Sequence, residues 1–92
     1  MVVRESTVEA YLHSRVKALG GTTFKLAPTT VGMPDRMVIM PGGVISLVEL
    51  KTETGRLSTV QKLLHGRLAE LGVQVYTLYG KLDVDDWIMV HG

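Results

Sequence analysis

The sequence predicts an α/β fold: a small mixed sheet flanked by helices, with the element order α-β-β-β-α-β. Three observations carry this. Pro41-Gly42-Gly43 joins two runs of β-forming residues, which makes them an antiparallel hairpin. A helix-length segment separates the third run from a fourth, so those two lie parallel with a right-handed connection. The third run, Val44–Lys51, is apolar at Val44, Ile45, Leu47, Val48 and Leu50, which predicts a central strand covered on both faces.

The first helix begins near Ser6 or Thr7. Ser6-x-x-Glu9 has the capping-box pattern and Gly20-Gly21 is the stop. Val8, Leu12, Val16 and Leu19 form its apolar stripe. Thr22–Leu26 reads as a short strand. Ala27–Pro34, with two prolines and Gly32, is a loop. Met37–Met40 is the second strand, and Thr52–Leu57 is a polar loop. Ser58 caps a second helix that ends at Gly72 and turns Val60, Leu63, Leu64, Leu68 and Leu71 to one side. Val73–Leu78 is the fourth strand. After Gly80 and Lys81, Leu82–Val90 is either a short helix or an edge strand.

Ninety-two residues predict one domain (1–92), with its core in 6–79 and a short C-terminal element in 82–92. A chain this size builds a modest core but no deep enclosed pocket, so a site must be shallow and face a large substrate or partner. Cysteine is absent, which excludes disulfides, a thiolate nucleophile and a cysteine zinc site. His13, His65 and His91 have no metal-ligand spacing. An apolar content of 46% excludes disorder. The longest apolar runs are too short to cross a bilayer. The opening Met1-Val-Val-Arg4-Glu5 lacks a signal-peptide pattern, so a cytoplasmic protein with no membrane partner is expected, in a bacterial or phage-infected cell. The net charge is +1, but unevenly spread: residues 1–81 carry +4, and Asp83, Asp85 and Asp86 give the remainder −3.

The apolar third strand ends in Val48-Glu49-Leu50-Lys51. Alternation puts Glu49 and Lys51 on one face. Charge at the end of such a strand is costly unless paired, and a Glu–Lys pair satisfying itself is one reading. The neighbouring strand supplies another. Counting from the Pro41-Gly42-Gly43 turn, Asp35 falls opposite Glu49. Two carboxylates held close repel unless a proton or cation lies between them. Hard divalent ions take such oxygens, and Mg²⁺ keeps waters that substrate phosphates can replace. A lysine beside the ion can orient water or stabilise charge on a phosphorane-like transition state.

Gly32-Met-Pro34-Asp35-Arg36, Val48-Glu49-Leu50-Lys51 and Leu57-Ser58-x-x-Gln61 together resemble the VRR-NUC (virus-type replication-repair nuclease) domain of the PD-(D/E)xK nuclease superfamily. The resemblance runs from about Glu9 to Leu78. It implies a metal-dependent DNA endonuclease that hydrolyses phosphodiester bonds, selective for branched DNA such as Holliday junctions. It implies that Asp35 and Glu49 bind Mg²⁺ or Mn²⁺ with the backbone carbonyl of Leu50, that Lys51 is the catalytic lysine, and that Gln61 and the first-helix Glu9 complete the site. Glu9 has a rival role in the capping box, and Glu5 has similar spacing to the apolar stripe.

For phosphate contacts, Lys25, Arg36 and Arg56 are the basic residues nearest the motif loops. A non-catalytic DNA-binding or assembly module on the same fold is the alternative. An intact Asp35/Glu49/Lys51 set opposes it, because carboxylates without a metal would repel DNA. A homodimer is expected. Two cuts in a four-way junction suit a two-fold pair of sites, and Trp87-Ile88-Met89-Val90 needs cover from its own sheet or from a second chain.

Overall fold

The computed structural model describes residues 4–27 and 29–92. The elements follow as α1 (Glu5–Ala18), β1 (Thr22–Lys25), β2 (Arg36–Met40), β3 (Val44–Lys51), α2 (Thr59–Glu70), β4 (Val75–Tyr79) and α3 (Gly80–His91). The chain start that bears on a signal peptide, and Pro28 of the first loop, lie outside the described residues. Strand order in the sheet is β1-β2-β3-β4. The first two pairings are antiparallel and β3 runs parallel to β4. Gly42 and Gly43 adopt φ of 91° and 78°, a left-handed pair that side chains resist. They fix Met40 opposite Val44 and Arg36 opposite Val48. One further step along the ladder brings Asp35 to Glu49.

The core lies on one face of the sheet. Val8, Leu12 and Val16 of α1 meet Val38, Met40, Val48, Leu50 and Leu78 from the strands and Val84, Trp87 and Ile88 from α3. The segment after Lys81 is therefore a helix, and it belongs to the core rather than lying outside it. Trp87 is only 5% exposed, so the cover it needs comes from its own chain, and an interface built on it is corrected. Its neighbours Met89 and Val90 face out, as helical geometry demands of a consecutive apolar run. Among the described residues no helix is long and apolar enough to cross a membrane.

The other face differs from expectation. β3 is central, but Val44 and Ile45 are exposed and Leu47 is half-buried. Helix α2 packs against β4 and leaves Val60, Leu63 and Leu71 exposed. The residue it buries is His65. Leu64 and Leu68 are half-buried, and the rest of the α2 stripe is an open surface, because the helix contacts β4 at one side of the sheet and does not roof all four strands. The accessible surface of 5795 Å² exceeds the roughly 5,000 Å² that size scaling gives for this mass.

The two Ser-x-x-Glu/Gln patterns part company. At α2 the capping box forms: Ser58 Oγ accepts from the Gln61 backbone N–H at 3.1 Å, and Gln61 Oε1 accepts from the Ser58 N–H at 2.9 Å. At α1 it does not. That helix starts at Glu5 with Arg4 as N-cap and no side-chain cap bond. Ser6 lies inside the first turn, where its hydroxyl no longer stands before the free amides, and Glu9 is engaged elsewhere.

Candidate active site

The hairpin and α1 converge at one end of the sheet. Pro34 is fully buried and delivers Asp35 to the mouth of β2. Glu49, on β3, is 4% exposed. One oxygen of each, Asp35 Oδ1 and Glu49 Oε1, is buried with no hydrogen-bond partner. The other Glu49 oxygen lies 3.7 Å from Lys51 Nζ. Across from them, α1 brings Glu5 and Glu9. Carboxylate oxygens of Glu5, Glu9 and Asp35 all lie within 4.8 Å of one another. The two candidates for the first-helix acid thus both reach the site, one turn apart on the same helix face.

Asp35 and Glu49 hold protons more tightly than carboxyls usually do. Burial pushes Asp35 up to about 6, and the Glu9 and Glu5 charges add to it while the Leu50 backbone amide and Arg36 pull the other way. Burial pushes Glu49 up to about 7, with Asp35 adding to it and Lys51 opposing. Orphaned oxygens on hard carboxylates that repel one another are what a divalent cation would satisfy. The residues therefore fit the implied ion: Asp35 with the α1 glutamates gathered about it would hold it, joined by Glu49 beside Asp35.

A pH dependence of stability follows. Unfolded, the two acids titrate near 3.8 and 4.5; folded, near 6 and 7. Between these ranges the native state binds protons that the unfolded chain has released, so stability falls as pH rises through that window. In EDTA the melting temperature should drop from pH 5 to pH 7.5. Saturating Mg²⁺ should flatten or reverse the slope by replacing the protons. A metal-free melting temperature that climbs over that range would show the two carboxyls are not strained.

The other sequence-derived residues fall at different distances from this centre. Gln61 sits in the first turn of α2 with its Oε1 committed to the cap. That turn rests on the Gly32 loop, where a Cβ on Gly32 would come within 2.9 Å of the Val60 carbonyl oxygen. Lys25 is exposed, 3.9 Å from Glu9 Oε1. Arg56 is exposed on the loop before α2. Arg36 is not a surface group: it is 9% exposed, with Nη2 donating to Glu9 at 3.3 Å and Nη1 to Thr23 Oγ1 at 3.0 Å. This corrects its place among the phosphate contacts. The signal was present in the sequence, since Arg36 alternates with Val38 and Met40 on the core face.

Sequence spacing gives His65 no metal-ligand role. It is 8% exposed with both ring nitrogens unpartnered. Burial pushes its pKa down, the Gly32 backbone opposes this, and the Lys51 charge pushes the same way as burial. It lies near the Gly32 backbone and Lys51, where burial disfavours its charged form.

An α/β sheet that gathers carboxylates and a lysine at the end of a central hairpin defines a nuclease-type domain. No protein-family model matches the chain. A search of curated proteins finds "Putative nuclease p44" of Acyrthosiphon pisum secondary endosymbiont phage 1, 38% identical over 78 residues, which cover 84% of this chain and 84% of that one. Among solved structures, one described as a VRR_NUC domain superposes with a TM-score of 0.87 at 34% identity, covering 96% of this chain and 97% of the other. The chain belongs to the VRR-NUC domain family.

Proposed function

We propose that this domain is a divalent-metal-dependent endodeoxyribonuclease that hydrolyses phosphodiester bonds in branched DNA such as four-way junctions, using Mg²⁺ or Mn²⁺. The observation that carries it is the pair of buried, orphaned carboxylate oxygens on Asp35 and Glu49, with Lys51 at the second Glu49 oxygen and the α1 glutamates near Asp35. When bound, the ion supplies charge neutralisation for the scissile phosphate and an acidified water. Asp35 and Glu49 would hold it. Lys51, held by Glu49 and 18% exposed, reaches the phosphate side and stabilises charge developing there. Burial around the pair lowers the local dielectric and strengthens both effects.

The reading extends to a homodimer. It is supported by the apolar surface left open on the α2 side of the sheet, where Ile45 is 51% and Leu63 71% exposed, and by the two cuts a junction requires. Sedimentation at micromolar concentration should show a species of twice the chain mass, and Leu63→Glu should return it to monomer.

The deciding experiment incubates the protein with labelled linear, flap and four-way-junction DNA in Mg²⁺, Mn²⁺ or EDTA. Cutting of branched substrates with metal, and binding without cutting in EDTA, is the expected result. No cleavage of any substrate with either ion leaves the non-catalytic DNA-binding module. Binding should also weaken with salt, because Lys25 and Arg56 stand exposed beside the site. Two phosphate contacts would lower affinity roughly 12-fold for a fourfold rise in salt. A flat salt response would count against phosphate recognition.

A further inference from the structure

Arg36 is a buried cation with an unusual set of partners. It opens β2, and alternation sends its side chain under α1 with Val38 and Met40. Its fork is split between two elements: Nη2 donates to Glu9 Oε2 on α1 at 3.3 Å, and Nη1 donates to Thr23 Oγ1 on β1 at 3.0 Å. Thr23 is itself 5% exposed, and its hydroxyl lies 2.8 Å from His13 Nδ1. A hydroxyl carries one proton and two lone pairs, so it can meet the imidazole in either tautomer and still accept from the guanidinium. Thr23 is therefore a fixed anchor, and Arg36 transmits that fixity to Glu9.

Glu9 needs such a hold. Its carboxylate stands within reach of Glu5 and Asp35, and three like charges together would turn the most mobile of them out to solvent. Lys25, at 3.9 Å and largely exposed, is too loose a partner to prevent it. A buried ion pair adds little net stability over an apolar pair of the same shape. What it adds here is geometry, since a planar fork can bind two acceptors at once and an ammonium cannot match that arrangement.

We infer that Arg36 is a positioning residue: anchored on Thr23, it holds the Glu9 carboxylate over Asp35 so that α1 presents a ready third acid to the metal. The inference rests on the metal-dependent reading of the site.

The test is titration calorimetry of Mn²⁺ into the metal-free protein without DNA. Arg36→Lys should weaken Mn²⁺ binding by about tenfold, as loss of a supporting contact to a metal ligand does. Glu9→Gln should weaken it at least as much. The double variant should bind no more weakly than Glu9→Gln alone, because the two residues act through one carboxylate. Thr23→Val keeps every charge and should shift affinity the same way by a smaller factor. Should Arg36→Lys fail to fold, the Thr23→Val and Glu9→Gln pair gives the same cycle. Cleavage by Arg36→Lys should recover at high Mn²⁺, since the ligands remain. Wild-type affinity in Arg36→Lys or Thr23→Val, or losses that multiply in the double variant, would overturn the role of Arg36 while leaving the nuclease reading intact. A wild-type protein that binds no Mn²⁺ overturns both.

Discussion

Glu49→Gln is expected to abolish cleavage and, in the metal-free protein at pH 8, to raise the melting temperature. The two effects have one cause. Glu49 is buried beside Asp35, and its carboxyl is pushed up to about 7 even with Lys51 3.7 Å away. That net shift means the fold disfavours the charge more than Lys51 rewards it. At pH 8 the group is mostly ionised, so a neutral side chain of the same size relieves the strain. At pH 5 the native group already carries its proton, and the variant should melt close to wild type. Activity moves oppositely, because the amide cannot complete a hard oxygen site for the ion. The rate should fall by about 10²–10³-fold or more, the scale of one lost electrostatic contact to a transition state. A residue serving only the core would lose stability at every pH. Near wild-type cutting at saturating Mn²⁺ removes Glu49 from the site. A lower melting temperature at pH 8 removes the strain argument.

The facing of Asp35 and Glu49 was legible because it needs only local counting. Two glycines force a tight turn, and the antiparallel register then fixes every later pair. The parallel placement of β4 was legible for a similar reason, since a helical crossover admits little else. What escaped depends on partners distant in sequence. Ser6-x-x-Glu9 and Ser58-x-x-Gln61 carry the same local signature, yet only the second forms a capping box. Glu9 is drawn to Arg36, 27 residues away, and a charged fork outbids a backbone amide. His65 and the exposed stripe of α2 escaped because periodicity gives the width of an apolar face but not what roofs it. Arg36 escaped because its charge points to the surface while its alternation with Val38 and Met40 points to the core.

Trp87→Ala is expected to be the most destabilising of these substitutions. The indole is 5% exposed in the cluster that joins α3 to α1 and the sheet. Tyr76 meets it edge-on at 5.8 Å and His91 stacks on it at 4.9 Å. Cutting it to a methyl leaves a cavity between three elements that cannot all close in together. Such truncations cost about 3–5 kcal/mol, and a domain of this size has only about 5–14 kcal/mol in all. The melting temperature should therefore fall by roughly 15–30 °C. Trp87→Phe keeps the ring that packs on Tyr76 and deletes an indole N–H that has no partner, so its loss should be well under half as large. The oligomeric state should not change where the protein remains folded, because Trp87 faces its own chain. A Trp87→Ala protein that melts like wild type but dissociates would move the indole from the core to a subunit interface, and with it the whole placement of α3.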